Sequence, residues 1–77
     1  MHLKPLETVV LIRDLPEQLL RVGDLGAVVE VYGEGCADIE FVTASGRTAA
    51  IVTLCGDDLR PVLDNDLMSV RSLGRSA

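Results

Sequence analysis

The run Thr8-Val9-Val10-Leu11-Ile12 is β-branched and apolar without helical spacing. It predicts a first strand, ended by Arg13-Asp14-Leu15-Pro16, where Pro16 has no N–H to give to a central ladder. An irregular loop follows, from which Leu19, Leu20 and Val22 return towards the core. Residues 25–32, LGAVVEVY, place Leu25, Ala27, Val29 and Val31 on one face and Val28, Glu30 and Tyr32 on the other, so the odd-numbered side is expected to be buried. DIEFV, residues 38–42, alternates more cleanly, with Ile39 and Phe41 inward and Asp38 and Glu40 in water. TASGRT then fits a hairpin in which Gly46 takes a left-handed conformation, and TAAIVTL supplies a fourth strand. In CGDDLRPV, Asp57 or Asp58 would cap a single helical turn that Pro61 stops beyond Leu59-Arg60, and Val62-Leu63 reads as a brief fifth strand.

Five short strands with no helix long enough to cover a sheet face predict an all-β fold, a small SH3-like barrel over residues 1–63 that closes on itself to hide its edges. Residues 64–77 form a separate tail. There Leu67, Val70 and Leu73 recur at i, i+3 and i+6, with Asp66 as a candidate N-cap and Gly74 after the last apolar residue. The two expectations are a short amphipathic helix docked on the barrel or on a partner, and a disordered terminus, since an isolated two-turn helix is unstable in water.

Composition narrows the function. A chain of 77 residues has room for one domain, burying about 60% of the surface its unfolded form exposes, which leaves little for a deep cleft. Its only aromatics are Tyr32 and Phe41, so the core must be aliphatic. The net charge is −5, and residues 6–63 carry ten acids against Arg13, Arg21, Arg47 and Arg60. Nucleic-acid binding needs basic side chains that displace counterions from phosphates, so the charge points instead to a basic or amphipathic protein surface. No apolar run approaches the roughly 18 residues of a membrane span and MHLKPLE lacks a signal-peptide core, so a soluble, cytoplasmic protein is expected. In that compartment Cys36 and Cys55 are expected as reduced thiols; the sequence leaves a disulfide between them open.

Catalytic templates fail one by one. His2 is the single histidine and lies near the chain start, where it gives no rigid base, and two cysteines with one histidine do not close a zinc shell. The Asp64-Asn65-Asp66 run breaks the calcium-loop pattern at Ser69 and Arg75, and Asp57-Asp58 is accounted for by capping. Gly23 and Gly26 precede a strand, not the helix that a phosphate loop or dinucleotide fingerprint requires. They read as backbone devices: Gly23 and Asp24 for a turn, Gly26 for a bulge or a close approach at the strand entrance. No enzyme, no catalytic or metal-binding residue and no cofactor is expected. A proline-recognising groove is also disfavoured, because only Tyr32 is available to line it.

The segments TVVLIRDLPEQLLRVGDLGAVVEVYG, IEFVTASGRT and TLCGDDLRPV, in that order, resemble a small bacterial family catalogued as domain of unknown function 4926. The resemblance covers roughly residues 6–62. It implies an SH3-like barrel similar to those carrying the KOW motif, whose Gly-Asp-x-Gly also enters a strand. It implies no activity and no catalytic residues. Relatives encoded beside toxin-like proteins make an antitoxin or immunity role one alternative, and KOW-like RNA or ribosome binding another, which the acidic charge disfavours. The leading expectation is a non-enzymatic module that binds another protein or its own copy. Its surface would combine Glu30, Tyr32, Asp38 and Glu40 with Leu67, Val70 and Leu73 of the tail.

Overall fold

The computed structural model describes residues 2–73. It contains five strands: β1 (Thr8–Leu11), β2 (Leu25–Tyr32), β3 (Cys36–Val42), β4 (Thr48–Cys55) and β5 (Leu59–Pro61). They form one antiparallel sheet in the order β4-β3-β2-β1-β5, with single 3-10 turns at Pro16–Gln18, Gly33–Gly35 and Gly56–Asp58. The all-β expectation holds. Leu11, Ile39, Val9 and Val28 are its largest fully buried side chains, and Leu54 of β4 and Leu59 of β5 join the same core, so the sheet wraps around one cluster. Closure is less complete than expected: β4 and β5 are the two ends of the sheet, joined by the Gly56–Asp58 turn and by no ladder.

Burial in β2 is opposite to the expectation. Gly26 and Val28 are buried, whereas Leu25, Val29 and Val31 are exposed and Ala27 is half-buried. The cause is a bulge: Val28 pairs with Ile39 and Glu30 with Asp38, leaving Val29 without an opposite residue. One extra residue reverses the alternation. Val28 can thus face the core while Glu30 and Tyr32, also even-numbered, face outward beside Asp38 and Cys36. The clean alternation read in β3 is present, with Ala37, Ile39 and Phe41 buried.

Two boundaries also move. The fifth strand is Leu59–Pro61 and not Val62-Leu63, because Arg60 pairs with Val10 and Pro61 with Val9. Pro61 is tolerated at the sheet edge, where no ladder bond is asked of its nitrogen. Of the residues returning from the first loop, only Leu20 enters the core; Leu19 and Val22 stay exposed.

At the opening of β2, Asp24 N–H donates to Arg21 C=O at 3.0 Å and the Asp24 carboxylate accepts from Arg21 N–H at 2.8 Å, closing a four-residue turn. Gly23 within it has φ +95°, and a Cβ there would meet nothing within 4 Å. Conformation alone demands this glycine, so Gly23→Ala should lower stability by about 1 kcal/mol, read from chemical denaturation. An unchanged midpoint would overturn that assignment. Gly46, with φ +90°, turns the β3–β4 hairpin as expected.

The tail is not a helix over its described residues. Asp66 is used differently from an N-cap: its carboxylate accepts from Leu63 N–H at 2.7 Å and binds the Arg60 guanidinium through both oxygens, at 2.8 and 2.9 Å. Leu67 and Val70 are 92% and 97% exposed, so the apolar spacing finds no surface to bury against and nothing compensates the cost of nucleating two turns. Gly74 lies outside the described residues.

Candidate functional site

The outer face of β2, β3 and β4 gathers the first four expected site residues. Across the strands, Tyr32 lies opposite Cys36 and Cys36 opposite Cys55; Glu30 lies opposite Asp38 and Asp38 opposite Thr53; Glu40 lies opposite Ile51. Each row comes from strand register, so the side chains sit on a rigid surface. Tyr32 Oη donates to Asp38 Oδ2 at 2.6 Å, and Thr53 Oγ1 donates to Asp38 Oδ1 at 2.6 Å. The Thr48 hydroxyl donates to Glu40.

The electrostatics of this face are one-sided. Glu30 and Asp38 are like charges placed directly opposite, an arrangement that disfavours the sheet. Hydrogen bonds from Thr53 and then Tyr32 hold the Asp38 carboxyl below its ordinary range, so it stays ionised. The Tyr32 phenol is pushed up to about 12, first by its bond to Asp38 and then by desolvation and the charges of Asp38 and Glu30. It therefore remains a neutral donor at physiological pH. Three ion pairs occur among the described residues, Arg13–Asp58, Arg60–Asp66 and Arg71–Asp24, and none involves this face.

The expectation of reduced thiols is corrected here: Cys36 and Cys55 form a disulfide across β3 and β4. Their Cα atoms are 3.9 Å apart, as the closer class of antiparallel pair allows. The bridge lies beside Tyr32 on the outer face and staples the end of the β3–β4 hairpin remote from Gly46.

Leu67, Val70 and Leu73 do not join the acidic face. The tail turns back over the opening of β2, where Arg71 Nε donates to Asp24 Oδ1 at 2.9 Å and Arg71 Nη2 to Asp24 Oδ2 at 2.5 Å. Arg71 Nη2 also reaches the Leu19 carbonyl at 3.0 Å, a residue held at φ 62°. Between the tail and the sheet lies a cleft of about 520 Å³, with Val10, Phe41 and Val42 on one side and Asp66, Arg71 and Leu73 on the other. Sequence reasoning assigned Arg71 no role. Its one available signal was position, an arginine between the apolar Val70 and Leu73, and that does not name Asp24.

Both tail anchors titrate in acid. Burial works to raise Asp24, but the hydrogen bonds from Arg71 and Arg21, with the two guanidinium charges, outweigh it and hold the carboxyl low. Asp66 is pulled from 3.8 to about 2, chiefly by the Arg60 bonds. Lowered folded-state values mean that both pairs contribute fully above the ordinary carboxylate value of 3.8 and are lost as pH falls through their folded-state values, which for Asp66 is about 2. The tail should therefore release in that window, with the Leu63 and Asp66 amides, the hydrogen-bonded N–H groups of residues 62–73, losing exchange protection before the β-sheet does. Simultaneous loss in tail and sheet would contradict it.

Among the described residues, no group of His, Cys, Asp and Glu side chains has the geometry of a metal site, and no helix is long and apolar enough to cross a membrane. One comparison with known proteins gives a match: a family model described as a domain of unknown function (DUF4926) covers residues 6–61. No curated protein and no solved structure matches the chain.

Proposed function

The chain belongs to the DUF4926 family, whose description assigns no activity, and we propose from the outer face of β2–β4 that it is a non-enzymatic module that binds a basic, amphipathic protein surface. The observation that carries this reading is the Glu30–Asp38 pair. Two carboxylates are held opposite each other by register, Glu40 adds a third on the same face, and no ion pair among the described residues compensates them. Lysine or arginine from a partner relieves that repulsion. Ile51, 58% exposed beside Glu40, and the Tyr32 ring offer apolar contact to the stems of those side chains.

The neutral Tyr32 hydroxyl and the fixed Asp38 carboxylate add direction to what would otherwise be a diffuse negative patch. Charge of this kind acts strongly on association rate and on discrimination between partners. Phosphate backbones are repelled by it.

The test is copurification from the native organism, followed by dissociation constants for the partner identified, with wild type and with Glu30→Lys/Glu40→Lys. Charge reversal should weaken binding at least tenfold at low salt, with the gap narrowing as salt is raised. An unchanged dissociation constant would remove the face from the interface. RNA binding at physiological ionic strength would overturn the reading as a whole.

A further inference from the structure

The two ends of the sheet are treated very differently. At one end, β5 has three residues, terminates in Pro61 and carries Arg60, whose guanidinium is bound by Asp66 of the tail. Short length, proline, charge and a covering segment are the usual ways in which an edge is kept from pairing. At the other end, β4 runs for eight residues, Thr-Ala-Ala-Ile-Val-Thr-Leu-Cys, with no charge and no proline. Its Cys55 N–H is taken by Asp58 Oδ2 at 3.1 Å, and no other backbone group of β4 bonds to anything beyond β3 among the described residues.

Pairing alternates along β4, which fixes the groups facing outward. The close Cys36–Cys55 pair is of the type whose N–H and C=O point away from each other, and two-residue periodicity gives Thr53 and Ile51 the same orientation. On the core side of this edge, Ala50 and Val52 pack against the core but remain partly exposed.

We propose that β4 is a self-association edge, pairing antiparallel with β4 of a second copy about a two-fold axis at Val52. Ile51 of one copy then exchanges both backbone hydrogen bonds with Thr53 of the second, and the reverse. Val52 meets Val52 on the core side, completing the cover that a single copy lacks there. An isologous contact of this kind is self-complementary and closed.

Charge selects a second copy of this acidic chain at this edge and not at its other faces. β4 itself is neutral, and the nearest carboxylates on the outer face, those of Asp38 and Glu40 opposite Thr53 and Ile51, belong to β3. Across the paired edges the two β3 strands are three strand spacings apart, about 14 Å, beyond the ~8 Å screening length at physiological salt. Glu30, Tyr32, Asp38 and Glu40 stay open in the dimer, so this pairing does not rest on the partner binding proposed above, and Ile51 is the one residue the two surfaces share.

Sedimentation equilibrium of the full chain over micromolar to millimolar concentration should show a species of twice the 8.3 kDa chain mass. Ile51→Lys, at an exposed site, should reduce the association constant at least tenfold while leaving the far-ultraviolet circular dichroism unchanged. Amide exchange gives a readout without mutation: the Ile51 and Thr53 N–H groups should gain protection as concentration rises. The proposal is overturned by a wild type that stays monomeric, by protection of those amides that does not depend on concentration, or by a dimer that Ile51→Lys leaves intact. A dimer dissolved by Glu30→Lys/Glu40→Lys instead would place the interface on the acidic face and also overturn it.

Discussion

Replacing Cys36 and Cys55 together by alanine should lower the unfolding free energy by about 3 kcal/mol, the loop-closure value for a bridge spanning some 20 residues. In the unfolded chain the disulfide removes conformations in which β3 and β4 are far apart. In the folded chain it joins two residues already opposite each other in the ladder. Both lie on the outer face, so their removal opens no cavity in the core. For a domain of 77 residues this is a large share of the total, since small domains are stable by about 5 kcal/mol or a little more. The melting temperature should fall by on the order of 10–20 °C. Thermal unfolding of the wild type with and without reductant checks the result against the variant. Reduced wild type should melt close to the double-alanine protein, and a wild type whose melting temperature ignores reductant would refute the contribution assigned to the bridge.

The pairing of those cysteines was partly legible. Cys36 lies nine residues before Ser45, the centre of the Thr43–Arg47 turn, and Cys55 ten after it, so the hairpin brings them together, and the one extra residue on the β4 side, Ala49, is absorbed at the bulge opposite Phe41 and Val42. Compartment chemistry points to reduced thiols and the hairpin count points to the pair, and register is the better guide to which residues meet. The bulge in β2 left no comparable mark. Its residues are apolar at both parities, so Val28 and Val29 are interchangeable by hydropathy and only the cross-strand register shows which one is extra.

Asp38, Glu40, Ile39 and Phe41 were readable because their polarity alternates without exception, and the acidic half of the candidate site follows from that strand. Its other half, Glu30 and Tyr32, was assigned to the outer face by a regular alternation that β2 does not keep. The bulge preserves their orientation while placing Val28 inside. The tail was the least readable segment. Its apolar triplet has helical spacing, yet its geometry is set by ion pairs to Arg60 and Asp24, which hydropathy does not encode.

Gly26 carries the second large effect, and its mechanism differs from that of Gly23 three residues earlier. Its φ lies outside the left-handed region, so its backbone conformation suits any residue; what it lacks is space. A Cβ built there overlaps Ile39 Cγ2 and lies 3.0 and 3.2 Å from Phe41 Cε2 and Cδ2, inside the buried core where these side chains of the neighbouring strand β3 lie against the opening of β2. Gly26→Ala should therefore destabilise by about 1–3 kcal/mol through overpacking, and Gly26→Val by more. The neighbour provides the control. Ile39→Ala alone leaves a cavity and costs about 2–5 kcal/mol, but it removes the atom that the new methyl meets. Added to that background, Gly26→Ala should cost measurably less than in the wild type, giving a coupling of at least about 0.5 kcal/mol in denaturant unfolding. If the two losses simply add, the glycine is not there to admit Ile39, and the close approach of β3 to the opening of β2 has another cause.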